Sequence, residues 1–383
     1  TGLLVLTIGN GLKNIGNEAF KSCASLEVDY DNPNIETIGN SAFYECKGMK
    51  GSLDFAKNVV SIGNSAFYNC TGITGFSFTK IVNIGDSAFS GCSYLASGVE
   101  SLSTVETIGS SVFNGCNNLK GTISLNKVRS IGSGAFSGRT GIVGSIETEN
   151  VESVGSSAFF GCTGITKVVL KGSSDATLSG LAFYGCSGLT EVEIGDNVKK
   201  LDGPVFGNCT GLKKLKIPIS LDAVGYSNSY SSSYGDTAFY GDKNIEEITF
   251  SKGTGTGYDY SQSSSTPWHY SSNSLTKVTL EEGITTIGED MFYGCTVLIN
   301  LTVPSTVKTV KGSAFYNCSN IESEIDLSNL TSIGSSAFYN CQKMKGNWNL
   351  SQELTEIPNQ TFYNCSARSG NISFDNITSI GSE

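Results

Sequence analysis

The chain has 383 residues, 38% of them hydrophobic and only 16% charged, with a formal net charge of −10. That balance argues against nucleic acid or anionic membrane as a main partner, because both demand clustered Lys and Arg. No apolar run reaches the length of a membrane-spanning helix, and Thr1-Gly-Leu-Leu-Val-Leu6 lacks the basic region and cleavage site of a signal peptide.

Read in order, the chain is one unit repeated. Leu3 to Ile15 is the second half of a unit, and the first complete anchor is Phe20. Equivalent anchors follow at Phe43, Phe67, Phe89, Phe113, Phe136, Phe159, Phe183, Phe206, Phe239, Phe292, Phe315, Phe338 and Phe362. Their spacing is 22 to 24 residues, apart from two longer gaps flanking Phe239. Length alone would suggest two or three domains. A fixed short period overrides it, because each unit then packs only on its neighbours. The expectation is a single solenoid domain over residues 1–383. Both ends break off inside a unit, so we expect a piece of a longer protein whose targeting and anchoring segments lie elsewhere.

Each unit opens on an alternating stretch, clearest in Leu189-Thr-Glu-Val-Glu-Ile194 and Leu275-Thr-Lys-Val-Thr-Leu280. Alternation with a period of two is the signature of a half-buried strand. A turn through Ile-Gly follows, as in Val59-Val-Ser-Ile-Gly63. Then comes Asn64-Ser-Ala-Phe-Tyr-Asn-Cys70, where a capping residue ahead of one apolar turn predicts a short α or 3₁₀ turn. The predicted fold class is therefore α/β. It is a solenoid of about 15 repeats, with one parallel sheet face and short helical turns on the other. Crossovers of this kind are right-handed by default.

All 12 cysteines lie three residues after an anchor, and at Phe136 and Phe239 that place holds Arg139 and Asp242. Disulfide partners would occupy varied positions, and a metal site would need paired Cys or nearby His. A cysteine repeated once per unit reads instead as a ladder of small buried hydrophobes.

The pattern Leu-x-x-Val-x-Ile followed by Val-x-x-Ile-Gly-x-x-Ala-Phe-x-x-Cys-x-x-Leu resembles the BspA-like class of leucine-rich repeats over nearly the whole chain. Gly is lost at Leu178-Ser179, Leu201-Asp202 and Val310-Lys311, and the pattern lapses more seriously between Phe239 and Phe292. The resemblance implies a surface or secreted protein of a host-associated bacterium or a parasitic protist. It further implies a role in adhesion, matrix binding or coaggregation, and no particular ligand.

Two kinds of strand stretch occur. From about Ile165 to Val303 it runs Leu-x-x-Val-x-Ile, whereas outer units carry an added residue, as in Leu119-Lys-Gly-Thr-Ile-Ser-Leu125 and Met344-Lys-Gly-Asn-Trp-Asn-Leu350. The addition suggests a bulge or a shifted entry. In the middle block the outward residue alternates in sign through Lys167, Glu191, Lys214, Glu247 and Lys277. Adjacent strands would then pair opposite charges, which favours a register-fixing ladder over a binding stripe. The residue after the anchor is often aromatic, as at Tyr44, Tyr68, Tyr293, Tyr316, Tyr339 and Tyr363. Such a row can bind a ligand or stack coil on coil, and stacking is favoured.

Insertions near 226–235 and 251–270 interrupt the repeat. Their composition of Tyr, Ser, Gly and Asn with one Trp and one His is the mix used by binding loops, although Ser and Gly also mark inert linkers. Candidate ligand-binding residues are Tyr226, Tyr230, Tyr234, Tyr258, Tyr260, Trp268, His269 and Tyr270. Trp268 falls near a missing anchor and is equally a core substitute. His269 is the single histidine, so triad chemistry would have to run through it. No catalytic residue, metal or cofactor is expected. The expectation is a non-enzymatic surface or secreted module for a protein or glycan, for example host matrix or another cell surface. A passive spacer or coat component displaying other domains is the alternative.

Overall fold

In the computed structural model the chain is a parallel β-solenoid of about 15 turns with almost no helix, the leucine-rich-repeat fold. The structure describes residues 4–29, 34–53, 56–221, 237–252 and 266–382. Two compact units are distinguished, residues 1–190 with 201–211, and residues 191–200 with 212–383. Each is a stack of coils, named below by their anchors.

In the first unit the most continuous ladder runs through the Ile-Gly stretch. Two-residue strands at Asn14–Ile15, Thr37–Ile38, Ser61–Ile62, Asn83–Ile84, Thr107–Ile108 and Ser130–Ile131 pair parallel and in register. The sequence reads this stretch as a turn, and it is a second short strand. The reason is that the isoleucine points inward while the flanking amides donate to the preceding coil, as Gly63 N–H does to the Ile38 carbonyl at 2.8 Å. In the second unit the alternating stretches pair as expected, Lys214–Pro218 with Glu247–Ser251 and Glu247–Ser251 with Lys277–Leu280.

The anchor side is not helical. In each coil the residues two before and two after the anchor commonly have positive φ, for instance Ser65 at 54° and Asn69 at 55° around Phe67. Left-handed residues at every fourth position forbid a continuing i→i−4 ladder. Alternate amides close turns within the coil instead, as Ala66 N–H to the Gly63 carbonyl and Cys70 N–H to Phe67. The amides between them reach the next coil: Ser65 to Asp86, Phe67 to Ala88 and Asn69 to Ser90, each at 2.7–2.8 Å. Donors thus point to the following coil on this side and to the preceding coil on the strand side. With the helix gone, the supposed capping residues also act differently. The Asn40 side chain accepts from the backbone of Asn64, and Asn64 from that of Asp86.

Anchor rings form the core. Phe43, Phe67 and Phe89 are fully buried and stack at centroid separations of 5.4 and 5.3 Å. In the second unit Phe292, Phe315, Phe338 and Phe362 continue the pattern at 5.3–5.8 Å. Every cysteine is buried and unbridged. Ten of the 12 thiols donate to the carbonyl of the anchor one coil back, as Cys70 Sγ does to Phe43 at 2.9 Å and Cys318 Sγ to Phe292 at 3.0 Å. Arg139 keeps that bond in its coil, with Nη1 at 3.1 Å from the Phe113 carbonyl.

Candidate functional site

The repeat fails between Phe239 and Phe292, and the described shoulders of that region give the site its geometry. Strand Glu247–Ser251 leads in, and the chain returns at residue 266 into the single turn His269–Ser271. Trp268, 1% exposed, fills the missing anchor place. Its Nε1–H donates to the Met291 carbonyl at 3.0 Å, the carbonyl that a regular anchor reaches with its own backbone amide. Phe250 meets the indole edge-on at 5.2 Å. Trp268 is therefore a core residue and offers no surface to a ligand.

Three residues on, Ser271 stands in the cysteine place. It is completely buried, donates to the Asp242 carbonyl at 2.6 Å and accepts from Ile245 N–H at 3.2 Å. Sequence reading passed over Ser271. The signal was its spacing of three residues from Trp268.

His269 and Tyr270 are exposed, with rings 5.8 Å apart and edge-to-face. Tyr270 in turn packs edge-to-face on Tyr240 at 5.1 Å. The three rings form an aromatic cluster at the margin of the insertions, and Tyr240 was not among the candidates drawn from the loops. Tyr226, Tyr230, Tyr234, Tyr258 and Tyr260 lie outside the described residues.

The strands of the same coils carry paired charges. Glu191 lies opposite Lys214, Lys214 opposite Glu247, and Glu247 opposite Lys277. The Lys214–Glu247 and Lys277–Glu247 separations are 3.9 and 3.5 Å, and Lys213–Glu246 runs alongside at 3.0 Å. The hydrogen bond that Lys216 donates to the Glu281 carboxylate, 3.1 Å away, raises the pKa of the lysine. These pairs are solvent-exposed and contribute little each, but they cancel any single-sign field along the face.

The aromatic row after the anchors is stacked. Tyr293, Tyr316, Tyr339 and Tyr363 follow one another at 4.8, 4.4 and 4.6 Å with interplanar angles of 2–10°. An amide ladder runs beside them, from Asn364 to Asn340 and from Asn340 to Asn317. Stacked neighbours cover each other's ring faces, so the row presents edges and hydroxyls. Near the C-terminal coils a polar cleft of about 210 Å³ is lined by Trp348, Asn349, Gln352, Asn371 and Asp375. Trp348 is held edge-on by Phe362 and face-on by Arg368, whose buried guanidinium bonds the carbonyls of Ile325 and Lys345. Burial lowers the pKa of Arg368. Among the described residues no group of three His, Cys, Asp or Glu side chains is placed to hold a metal ion.

A family model described as the BspA type leucine rich repeat region matches residues 2–120, 106–234, 142–265 and 263–383. The chain belongs to this family. No curated protein sequence matches it. Among solved structures, it is similar to a leucine-rich repeat protein from Bacteroides ovatus, at 23% identity and a TM-score of 0.43, covering 99% of this chain and 83% of that one. A leucine rich cell surface protein from Faecalibacterium prausnitzii aligns at 22% identity and a TM-score of 0.36, over 91% and 83%. The leucine-rich repeat protein of T. pallidum aligns at 22% and 0.33, over 54% and 82%. Membership of the BspA-type family supports a protein-interaction or surface module in general terms. Among the described residues no helix is long and apolar enough to cross a membrane.

Proposed function

We propose that this BspA-type chain is a non-enzymatic recognition and adhesion module, secreted or displayed at a cell surface. It binds a protein or a glycan, such as host matrix or another cell's surface, through the solenoid face and the two insertions. The observation that carries the reading is the cluster of exposed His269 and Tyr270 with half-buried Tyr240 at the margin of segments rich in Tyr, Ser and Gly. Edge-to-face rings flanked by small polar residues give rigid apolar contact together with adaptable hydrogen bonding.

Removing residues 226–235 and 254–265 while keeping the buried Trp268 tests the proposal. Binding to host cells, matrix proteins and glycan arrays should fall at least tenfold in a variant with an unchanged circular dichroism spectrum, and Tyr270→Ala should give part of that loss. Unchanged binding would refute the role of the insertions. A second reading, a spacer that displays other domains, is favoured by the regular coils, where charges and ring faces are paired off internally. A broad binding screen without a single hit would support the spacer.

A further inference from the structure

The coil type changes twice along the chain, and the two seams are built differently. Outer coils with the added strand residue place a glycine of positive φ two positions after their first inward residue, as Gly121 at 129°, Gly144 at 98° and Gly346 at 114°. At the first seam the register changes at a glycine of positive φ, Gly144. The strands Gly141–Val154 and Ile165–Leu178 pair through a register shift at Gly144/Ser145. At the second seam, where the Leu298–Val310 stretch meets Ile321–Ile333, Ser323 holds the glycine's place and is not among the residues of positive φ. Strand Asn300–Thr302 pairs with Lys277–Leu280 behind it, but the ladder does not continue ahead. Glu322 N–H to the Ile299 carbonyl and Leu301 N–H to Ser323 Oγ cross the gap instead.

A cavity of about 140 Å³ opens at this seam. Its walls are Ile287, Val307, Phe315, Ile325 and Phe338, all buried core side chains. Ser305, Asp326 and Asn329 stand at its solvent side. The volume is close to that of an engineered apolar cavity of about 150 Å³ that takes up benzene. An ionised carboxylate only accepts hydrogen bonds, so a ligand's polar group beside Asp326 must be a donor. The apolar walls disfavour a charged group deep in the cavity, since the one charged residue of the lining, Asp326, stands at the solvent side.

We propose that this seam cavity is a binding site for a small neutral molecule with one aromatic ring and one hydroxyl, of the phenol class. The ring lies between Phe315 and the aliphatic walls, and the hydroxyl donates toward Asp326. The site needs neither insertion and is independent of the recognition function above.

Ligand-observed NMR on the whole chain, with phenol and benzene as probes, tests it. Both should bind and compete for one site, with Kd for phenol of roughly 1 mM or tighter. Val303→Phe, which grows into the cavity from its half-buried edge, should weaken both probes at least tenfold. Asp326→Ala should weaken phenol by about tenfold and leave benzene within about twofold, the size expected for one charge-assisted hydrogen bond. The absence of binding by either probe at about 10 mM, a range that would catch sites of roughly millimolar affinity, would overturn the proposal. So would binding indifferent to Val303→Phe in a folded variant, or equal losses for both probes in Asp326→Ala. If Val303→Phe does not fold, the split between probes in Asp326→Ala decides alone.

Discussion

Gly16 and Gly63 sit in the same motif, Ile-Gly-Asn, yet the stack predicts opposite outcomes for the same substitution. A Cβ at Gly63 would lie 2.5 Å from the Asn40 backbone nitrogen, 2.6 Å from its side-chain oxygen and 2.7 Å from the Gly39 carbonyl carbon. Two of these three are backbone atoms of the neighbouring coil, so no rotamer change relieves the clash. Overpacking of this kind costs about 1–3 kcal/mol. Forcing the coils apart also loosens Gly63 N–H to Ile38 and Asn64 N–H to Asn40, both at 2.8 Å. At about 1 kcal/mol each, Gly63→Ala should destabilise its stretch of the solenoid by roughly 3–5 kcal/mol in all. At Gly16 nothing lies within 4 Å of the same Cβ. Gly16→Ala should then stabilise by roughly 0.4–1 kcal/mol through the unfolded chain. Coils of a repeat array open locally, so amide hydrogen exchange of the Phe43, Phe67 and Phe89 coils is the direct assay, with thermal unfolding as a second readout. Similar losses at the two glycines would show that the motif serves backbone conformation and not coil approach.

A titration, a labelling experiment and a further substitution probe the same coils. Burial pushes the Cys46 thiol up to about 11 and those of Cys116 and Cys295 to about 12, well above the ordinary value. A raised folded-state pKa means the unfolded chain releases its thiol protons first, near pH 9. Stability is therefore full below that pH and falls progressively as pH rises toward 11–12. Thiol-reactive dyes at pH 8 should leave the native ladder essentially unlabelled and react only as coils open. Prompt labelling of Cys92 or Cys318 in folded protein would contradict the ladder. Leu181 has φ of 63°, where most equivalent coils carry Ser, and it is only half-buried. Leu181→Asn should raise stability by about 1 kcal/mol by relieving a left-handed branched residue, and a lowered thermal midpoint would show that its packing dominates.

The core of this fold was legible because it is stated fourteen times. Phe, Cys and the Ile before Gly fall at fixed spacing, and each occupies one ladder. The anchor side misled for a local reason: Asn-Ser-Ala-Phe has the composition of a capped helix start, and only the left-handed Ser ahead of Ala converts it to turns. That conformation depends on the neighbouring coil's carbonyls, which no single unit can display. Ile-Gly likewise reads as a corner until a second coil offers its carbonyls as acceptors. In the interrupted region Trp268 was recognised as both a binding candidate and an anchor substitute, and only its burial against Phe250 and Phe292 separates the two. The seam was written in the sequence as Ser323 in place of Gly, a single residue whose meaning needs the comparison with Gly121, Gly144 and Gly346.

The two-way stitching of the coils also limits where a ligand site can evolve. Inward positions hold the ring, thiol and aliphatic ladders, and the Gly after the second strand is fixed by the approach of the preceding coil. Outward strand positions are free to vary, but each change acts on a charge partner one coil away, as Glu247 faces both Lys214 and Lys277. A new surface chemistry on a regular coil therefore disturbs its neighbours by about 0.2–1 kcal/mol per exposed pair. An insertion escapes that coupling, because its residues lie outside the repeat pattern and so have no ladder partner to satisfy. Trp268 and Ser271 show how the repeat resumes: they restore the anchor and the cysteine place with other side chains, so the core continues beyond an interrupted sequence. That is the physical ground for placing the specificity of the proposed module at His269, Tyr270 and the segments beside them.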